Sequence, residues 1–141
     1  MVSKYVKEQL FPTEVYICDD VLEEEYIDSM KEDILKTSTD KENWQSDPKL
    51  HLQPKYKELS NQVLNASKLV FKDKSYIYDT FEITDMWSNI LKPGENHKPH
   101  THSNNILSGV YYVQSDKDAN ARIHFYDPRP QADVITPHMK K

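Results

Sequence analysis

Trp87-Ser-Asn-Ile-Leu-Lys-Pro-Gly-Glu-Asn-His-Lys-Pro-His-Thr-His102 is the stretch on which the reading of this chain turns. The residues leading into it, Tyr76 to Ile90, are rich in aromatic and β-branched side chains. Ile77, Phe81, Ile83 and Trp87 fall on one alternate face, as in a long strand with one buried side. Pro93-Gly94 breaks that strand. His100 and His102 follow, two residues apart, so on an extended backbone both imidazoles project from the same face. That is the geometry of a chelating pair, and the intervening Thr101 keeps it off any helical phase. Imidazole suits iron, zinc, copper and nickel alike, so the pair alone names no metal. The other reading is a solvated His-x-His in an exposed loop. His97 lies five residues before His102, on the opposite strand face, and reads as a loop residue. The chain has two glycines, Gly94 and Gly109, and three of its six histidines lie between them.

Working outward, Ile106–Val113 and Arg122–Tyr126 are further strand candidates, the latter ended by Asp127-Pro-Arg-Pro130. Ser108-Gly109 reads as a point of close strand approach. Towards the N-terminus, Leu22, Tyr26, Met30 and Ile34 recur every four residues. This periodicity predicts an amphipathic helix over 21–36, opened by a capping box of Asp20 and Glu23. Residues 37–54 read as a polar loop, and Tyr56, Leu59, Val63, Ala66 and Val70 predict a second helix over 55–72. Val15–Cys18 is a short β-like stretch. Both helices carry an apolar stripe that needs a sheet to cover. The plan is therefore α+β, with the helices packed on one face of an antiparallel sheet. One domain over 1–141 suffices: a helical lead-in over 1–75, strands over 76–130 and a tail over 131–141.

Composition narrows the class. Hydrophobic residues make up 37% and charged residues 29%, a globular balance. Lys and Arg total 18 against 23 Asp and Glu, a net charge of −5. This acidic balance argues against a nucleic-acid coat, where a basic stripe is expected. The chain shows neither an apolar run of about 20 residues for a bilayer span nor a signal peptide's apolar core. Cys18 is the single cysteine, which fits a reducing, cytoplasmic compartment.

Five short blocks, in order, carry a resemblance. Trp87-x-Asn89, Pro93-Gly94, His100-x-His102, Asn105–Val113 and Phe125-Tyr-Asp-Pro-Arg129 resemble the 2-oxoglutarate/Fe(II)-dependent oxygenases of marine bacteria, cyanobacteria and their phages. The resemblance implies a double-stranded β-helix, or jelly roll, whose mouth holds Fe(II) on His100 and His102. It implies 2-oxoglutarate as co-substrate, with ascorbate as an auxiliary reductant. The reaction is then oxidative decarboxylation to succinate and CO2, coupled to hydroxylation of a substrate that no sequence feature identifies, whether small molecule or protein. Asn89, Tyr112 and Arg129 become candidate 2-oxoglutarate contacts. Each has a plainer alternative: a strand-end polar residue, a core tyrosine and a solvated turn. A phage origin would place the protein in the host cytoplasm.

Two departures from that pattern matter. Related prolyl-hydroxylase-like enzymes have a His-x-Asp pair, and here His102 stands where the carboxylate would be. The distal histidine and the carboxylate-pairing arginine of the family would lie several strands further on, whereas this chain ends at Lys141. His138, beside a tail-like Met139-Lys-Lys141, is poorly placed to serve. The expected barrel is thus incomplete at its C-terminus, with a sheet edge that favours a homo-oligomer. The departures keep two other readings open: a non-catalytic jelly-roll module that binds metal or a partner, and a three-histidine, cupin-like metalloprotein that does not use 2-oxoglutarate.

Overall fold

Glu24 and Glu25 open the first helix, where acidic side chains favour the exposed N–H groups of the first turn. A computed structural model of the chain describes residue 6 and residues 12–19, 21–115 and 122–129. In it α1 runs Glu24–Thr37, with Glu23 at the N-cap position and no side-chain cap bond. The expected start at residue 21 is therefore early by three residues. Asp20, proposed as its cap, lies outside the described residues, as do His138 and the tail. The predicted stripe holds, since Met30 and Ile34 are the buried residues of α1. The second helix, α2, spans Lys57–Asp73 and follows a 3-10 turn at Pro54–Tyr56, close to the expected 55–72.

The end of α2 is closed by a six-residue wrap. Tyr76 donates its N–H to the Phe71 carbonyl at 2.9 Å and Ser75 donates to Lys72 at 3.1 Å, while Ser75 sits at a left-handed φ of 55°. This is a Schellman closure, and its hydrophobic clasp is the edge-on contact of Phe71 with Tyr76, ring centroids 5.5 Å apart. Tyr78 and Phe81 complete a second small core around buried Phe71, at 5.1 and 5.0 Å. Because the chain wraps Phe71 here, Ile77 is thrown outward and fully exposed. The expected single buried face of 76–90 thus begins only at Phe81. Outside the helix, Tyr16 donates to Asp73 and Lys74 pairs with Glu14, laying 12–19 along the end of α2. Val15–Cys18 forms no ladder there.

The stretch 37–54 departs most from expectation. Trp44–Gln45 is a strand, β1, paired antiparallel with β2 at Asn89–Ile90, with Trp44 opposite Ile90 and Gln45 opposite Asn89. Further along, Leu50 donates to the Met86 carbonyl at 3.0 Å and Met86 donates to Pro48 at 2.9 Å. Trp44 and Leu50 are buried, so a polar loop by composition supplies two anchors to the core. Met30, Leu50, Tyr56 and Leu59 form that core, with Leu22, Tyr26, Met86, Tyr111 and Val113 packed against it.

Ile106–Val113 and Arg122–Tyr126, predicted as strands, carry no ladder among the described residues. The first still alternates at its end: Tyr111 and Val113 face the core, while Val110 and Tyr112 face solvent. A strand needs a neighbour to accept its backbone bonds, and no ladder partner is formed among the described residues. Ile123, Phe125 and Tyr126 are exposed as well. Nor does Gly109 mark a close approach, because a Cβ there would meet nothing within 4 Å. No helix among the described residues is long and apolar enough to cross a membrane.

Two polar links set the helices against each other. Tyr26 donates its hydroxyl to the Lys55 carbonyl at 2.6 Å, and Tyr56 donates to Asp33 at 2.9 Å. The Lys55 ammonium also pairs with Asp33. That hydrogen bond holds the Asp33 carboxyl below its ordinary range, helped by the Tyr56 hydroxyl and opposed by partial burial. Burial, with the Asp33 bond, raises the Tyr56 phenol in turn.

A carboxyl lowered in the folded state contributes stability above its unfolded value of about 3.9, and loses it as pH falls through the folded value. Asp33→Asn should therefore cost about 1–2 kcal/mol at neutral pH, with Lys55 half exposed and the pair partly screened. The difference from wild type should shrink in urea melts taken between pH 5 and about 3; parallel pH curves would remove the ion pair from the account. Ser75→Gly tests the helix closure. Relieving a left-handed serine should stabilise by about 1 kcal/mol or less, the gain being reduced by glycine's freer unfolded chain. A lower midpoint for the glycine variant would refute the strain.

Candidate metal centre

The histidine loop is hung from β2 by a tight turn. Lys92, Pro93, Gly94 and Glu95 form a type II turn: Glu95 donates its N–H to the Lys92 carbonyl at 2.9 Å, and Gly94 sits at φ 89°. Proline suits the second position of such a turn and glycine the third, where φ must be positive. The Glu95 carboxylate then accepts from the N–H of Lys92 at 2.9 Å and of Asn43 at 3.3 Å, tying the turn to the approach to β1. Beyond the ligand loop, Asn104 turns the chain at φ 62° and Asn105 bonds Thr84 at 3.2 Å.

Between these anchors His100 and His102 come together. Their Nε2 atoms are 3.1 Å apart, both rings are exposed, and the ring centroids are 5.0 Å apart. His100 Nδ1 lies 2.8 Å from the Lys98 carbonyl oxygen. A carbonyl can only accept, so Nδ1 carries the proton, and a neutral His100 presents the lone pair of Nε2. His102 then supplies the hydrogen between the two Nε2 atoms. Trp87, expected in the core, is half-buried and stacks flat on His102, with centroids 5.7 Å apart and planes inclined by 11°. Spacing could not have shown this contact, because it joins residues fifteen apart through a turn. His97 is less closely placed, its ring centroid 6.3 Å from that of His100.

Whether these residues fit a metal ion can be judged from the separation. Two ligand nitrogens each about 2.1 Å from an ion and about 3.1 Å apart subtend about 95° at it. That angle belongs to neighbouring positions of an octahedral or square-planar ion, and a tetrahedral ion would open it to about 109°. The pair therefore brings two donor nitrogens within the span that a single ion needs, though they are hydrogen-bonded to each other here. A facial iron site needs a third protein ligand, and no group of three His, Cys, Asp or Glu residues suited to a metal occurs among the described residues. The fit extends to the imidazole pair and no further.

The other candidate residues are dispersed. Asn89 is exposed in β2, opposite Gln45. Tyr111 and Tyr112 point to opposite sides, Tyr111 onto the core and Tyr112 into a cavity of about 370 Å3 shared with Ser115, Arg122 and Ile123. Arg129 folds back on Asp127, its Nε 2.9 Å from Oδ1 and its Nη2 2.5 Å from Oδ2. The Arg129 side-chain bonds, and the bond from its backbone N–H, hold the Asp127 carboxyl down at about 2. His124 is exposed.

Against known families, residues 85–141, about two fifths of the chain, match the family described as "Putative 2OG-Fe(II) oxygenase". His100, His102 and their stacking partner Trp87 all fall inside the matched segment. No curated protein and no solved structure matches the chain.

The Asp127–Arg129 pair decides whether that guanidinium is available to a ligand. Arg129→Gln should raise the Asp127 titration, followed by carboxyl-carbon NMR, from about 2 part of the way to the ordinary aspartate range. The rise is partial because the backbone N–H of residue 129 still donates to Oδ1. An unmoved midpoint would show Arg129 disengaged in solution.

Proposed function

We propose that this chain provides the metal-binding front of a non-haem Fe(II), 2-oxoglutarate-dependent oxygenase of the hydroxylase type. The observation that carries the reading is a coincidence of two independent findings. The segment that matches the oxygenase family also holds a pair of imidazoles, His100 and His102, that the fold turns towards each other. When bound, iron and 2-oxoglutarate would supply the oxidising power, drawn from O2 and the loss of CO2.

This chain's own part is to hold and to orient. His100 and His102 would occupy two cis positions. The Lys98 carbonyl fixes the tautomer of one ring and Trp87 the plane of the other, the kind of support that ligating histidines need. Tyr112 stays in the proposal as a co-substrate contact; it lines an open surface depression together with Ser115 and Ile123. Asn89 stays in the proposal as a co-substrate contact from the strand that leads into the loop. Arg129 could serve only by leaving Asp127. The jelly-roll architecture, and the kinship with the marine bacterial and phage members, belong to the same proposal. Their support is the five ordered blocks and the strand-like alternation at the end of the 106–113 segment.

The test is direct. The purified chain, given Fe(II), ascorbate and 2-oxoglutarate in air, should release succinate only when iron is present. Turnover should be slow, because two neutral imidazoles hold a divalent ion loosely. It should vanish in His100→Ala and His102→Ala, with far-UV circular dichroism unchanged because both rings are exposed. A folded wild-type chain that releases no succinate above the iron-free blank would sink the reading.

A further inference from the structure

We infer that residues 106–113 are the surface through which two copies of this chain associate, pairing antiparallel about a two-fold axis at Gly109. The inference does not rest on the oxygenase reading. It competes with that reading only for Tyr112, whose ring it assigns to the interface.

Unused backbone is the first ground. Tyr111 and Val113 pack against the core, so the segment is anchored by one face at its end. Yet no residue from Ile106 to Val113 makes a backbone hydrogen bond to another described residue. Such edges are usually guarded by a charged side chain or a proline. Residues 103–115 contain neither.

Exposed apolar area is the second. Ile106, Val110 and Tyr112 are 74, 64 and 52% exposed, and Ile123, Phe125 and Tyr126 are 51, 62 and 72% exposed. Tyr112 and Ile123 line the same open depression, which joins the two groups into one patch. With each aromatic side chain offering about 150–250 Å2, these residues leave roughly 700 Å2 of apolar surface in water. That exceeds the largest apolar patch of a typical monomer, about 300–600 Å2. It approaches the area that each partner buries in a standard interface, about 800 Å2.

Charge and register make a second copy the occupant. At a net charge of −5, two copies repel over much of their surface. The charge-free run 103–115 lets them meet with no like charges opposed. Pairing about Gly109 sets Ile106 against Tyr112, Leu107 against Tyr111 and Ser108 against Val110. An aromatic ring opposite a β-branched side chain is a favoured cross-strand pair. Gly109 then faces its own copy, where the lack of a side chain lets two backbones approach. The space there is open, since a Cβ on Gly109 would meet nothing within 4 Å. Ser108-Gly109 thus marks an approach between chains, not within one.

The experiment uses the whole chain. Sedimentation equilibrium should show a dimer at about 10 μM, because interfaces of this size bind with micromolar or tighter affinity. Val110→Lys and Tyr112→Lys should each weaken the dimer at least roughly tenfold. Far-UV circular dichroism should stay unchanged, both side chains being exposed. Register is read by cross-linking in a Cys18→Ser background, since Cys18 is exposed. Gly109→Cys should form an intermolecular disulfide on mild oxidation. Gln114→Cys should not, because it faces Asn104 of the copy and lies about 34 Å along the strand from its twin. A monomer at that concentration, association that continues past the dimer, a dimer untouched by both lysine variants, or Gln114→Cys cross-linking as readily as Gly109→Cys would each overturn the inference. Succinate release by a monomeric chain keeps the oxygenase reading and sinks this one; a dimer that releases none does the reverse.

Discussion

Two tyrosines facing in opposite directions across one helix junction set the arrangement on which everything else rests. Tyr26 of α1 reaches over to the Lys55 carbonyl, and Tyr56, at the start of α2, reaches back to Asp33 of α1. Each ring contributes apolar bulk to the core and spends its polar tip on the other helix, so the junction is satisfied without burying an unpaired group. Tyr56 is 3% exposed, and the cost of stranding its hydroxyl there makes the choice of partner strict. With the two helices held at this junction, Met30, Leu50 and Leu59 close around the ring. Met86, Tyr111 and Val113 then have a surface to lie on.

That surface links the helical half to the half that carries the histidines. Residues 44–50 run beside 86–90, joined by ladder bonds and by the Lys49 ammonium, which caps the Thr84 carbonyl and pairs with Asp85. The ligand loop therefore leaves a braced edge. Its residues are exposed, but the turn that launches it is not free to wander. The ordering of the paired rings is local, drawn from a carbonyl two residues away and an indole fifteen residues away, so the pair needs no enclosed pocket to keep its geometry.

Both helices were legible in the sequence, because a four-residue apolar rhythm is a strong signal and α2 ends where its stripe ends. The start of α1 was less so: helix boundaries depend on capping, and Glu23 holds the N-cap position without a side-chain bond. Trp44 and Leu50 read as loop in the sequence because isolated apolar residues in a polar stretch carry no period, and their burial is decided by what 86–90 offers them. Ile77 failed for the opposite reason. Alternation placed it inward, but the wrap around Phe71 turned the backbone before any strand could form. At the site, the pairing of His100 with His102 follows from two-residue spacing on extended chain. The stack of Trp87 and the retreat of Arg129 onto Asp127 are tertiary and electrostatic choices that spacing does not encode. Tyr111 and Tyr112 fall to opposite sides as alternation requires, even though no ladder among the described residues holds them.

Glu95 gives the turn before the histidines a significance beyond its shape. One carboxylate clamps the N–H of Lys92 and that of Asn43, points 49 residues apart in the chain. Bringing such distant points together has an entropic cost that rises slowly with the length of chain between them. In this fold that cost is met by folding itself and falls on the helices and β1–β2. What would remain for a bound ion to order, under the proposed function, is the short run from Asn96 to His102, bounded behind by the Glu95 clamp and ahead by the Thr84–Asn105 bond. Any affinity of the pair for an ion would thereby be uncoupled from long-range chain closure, and under the proposed function loading and release would be events of a few residues.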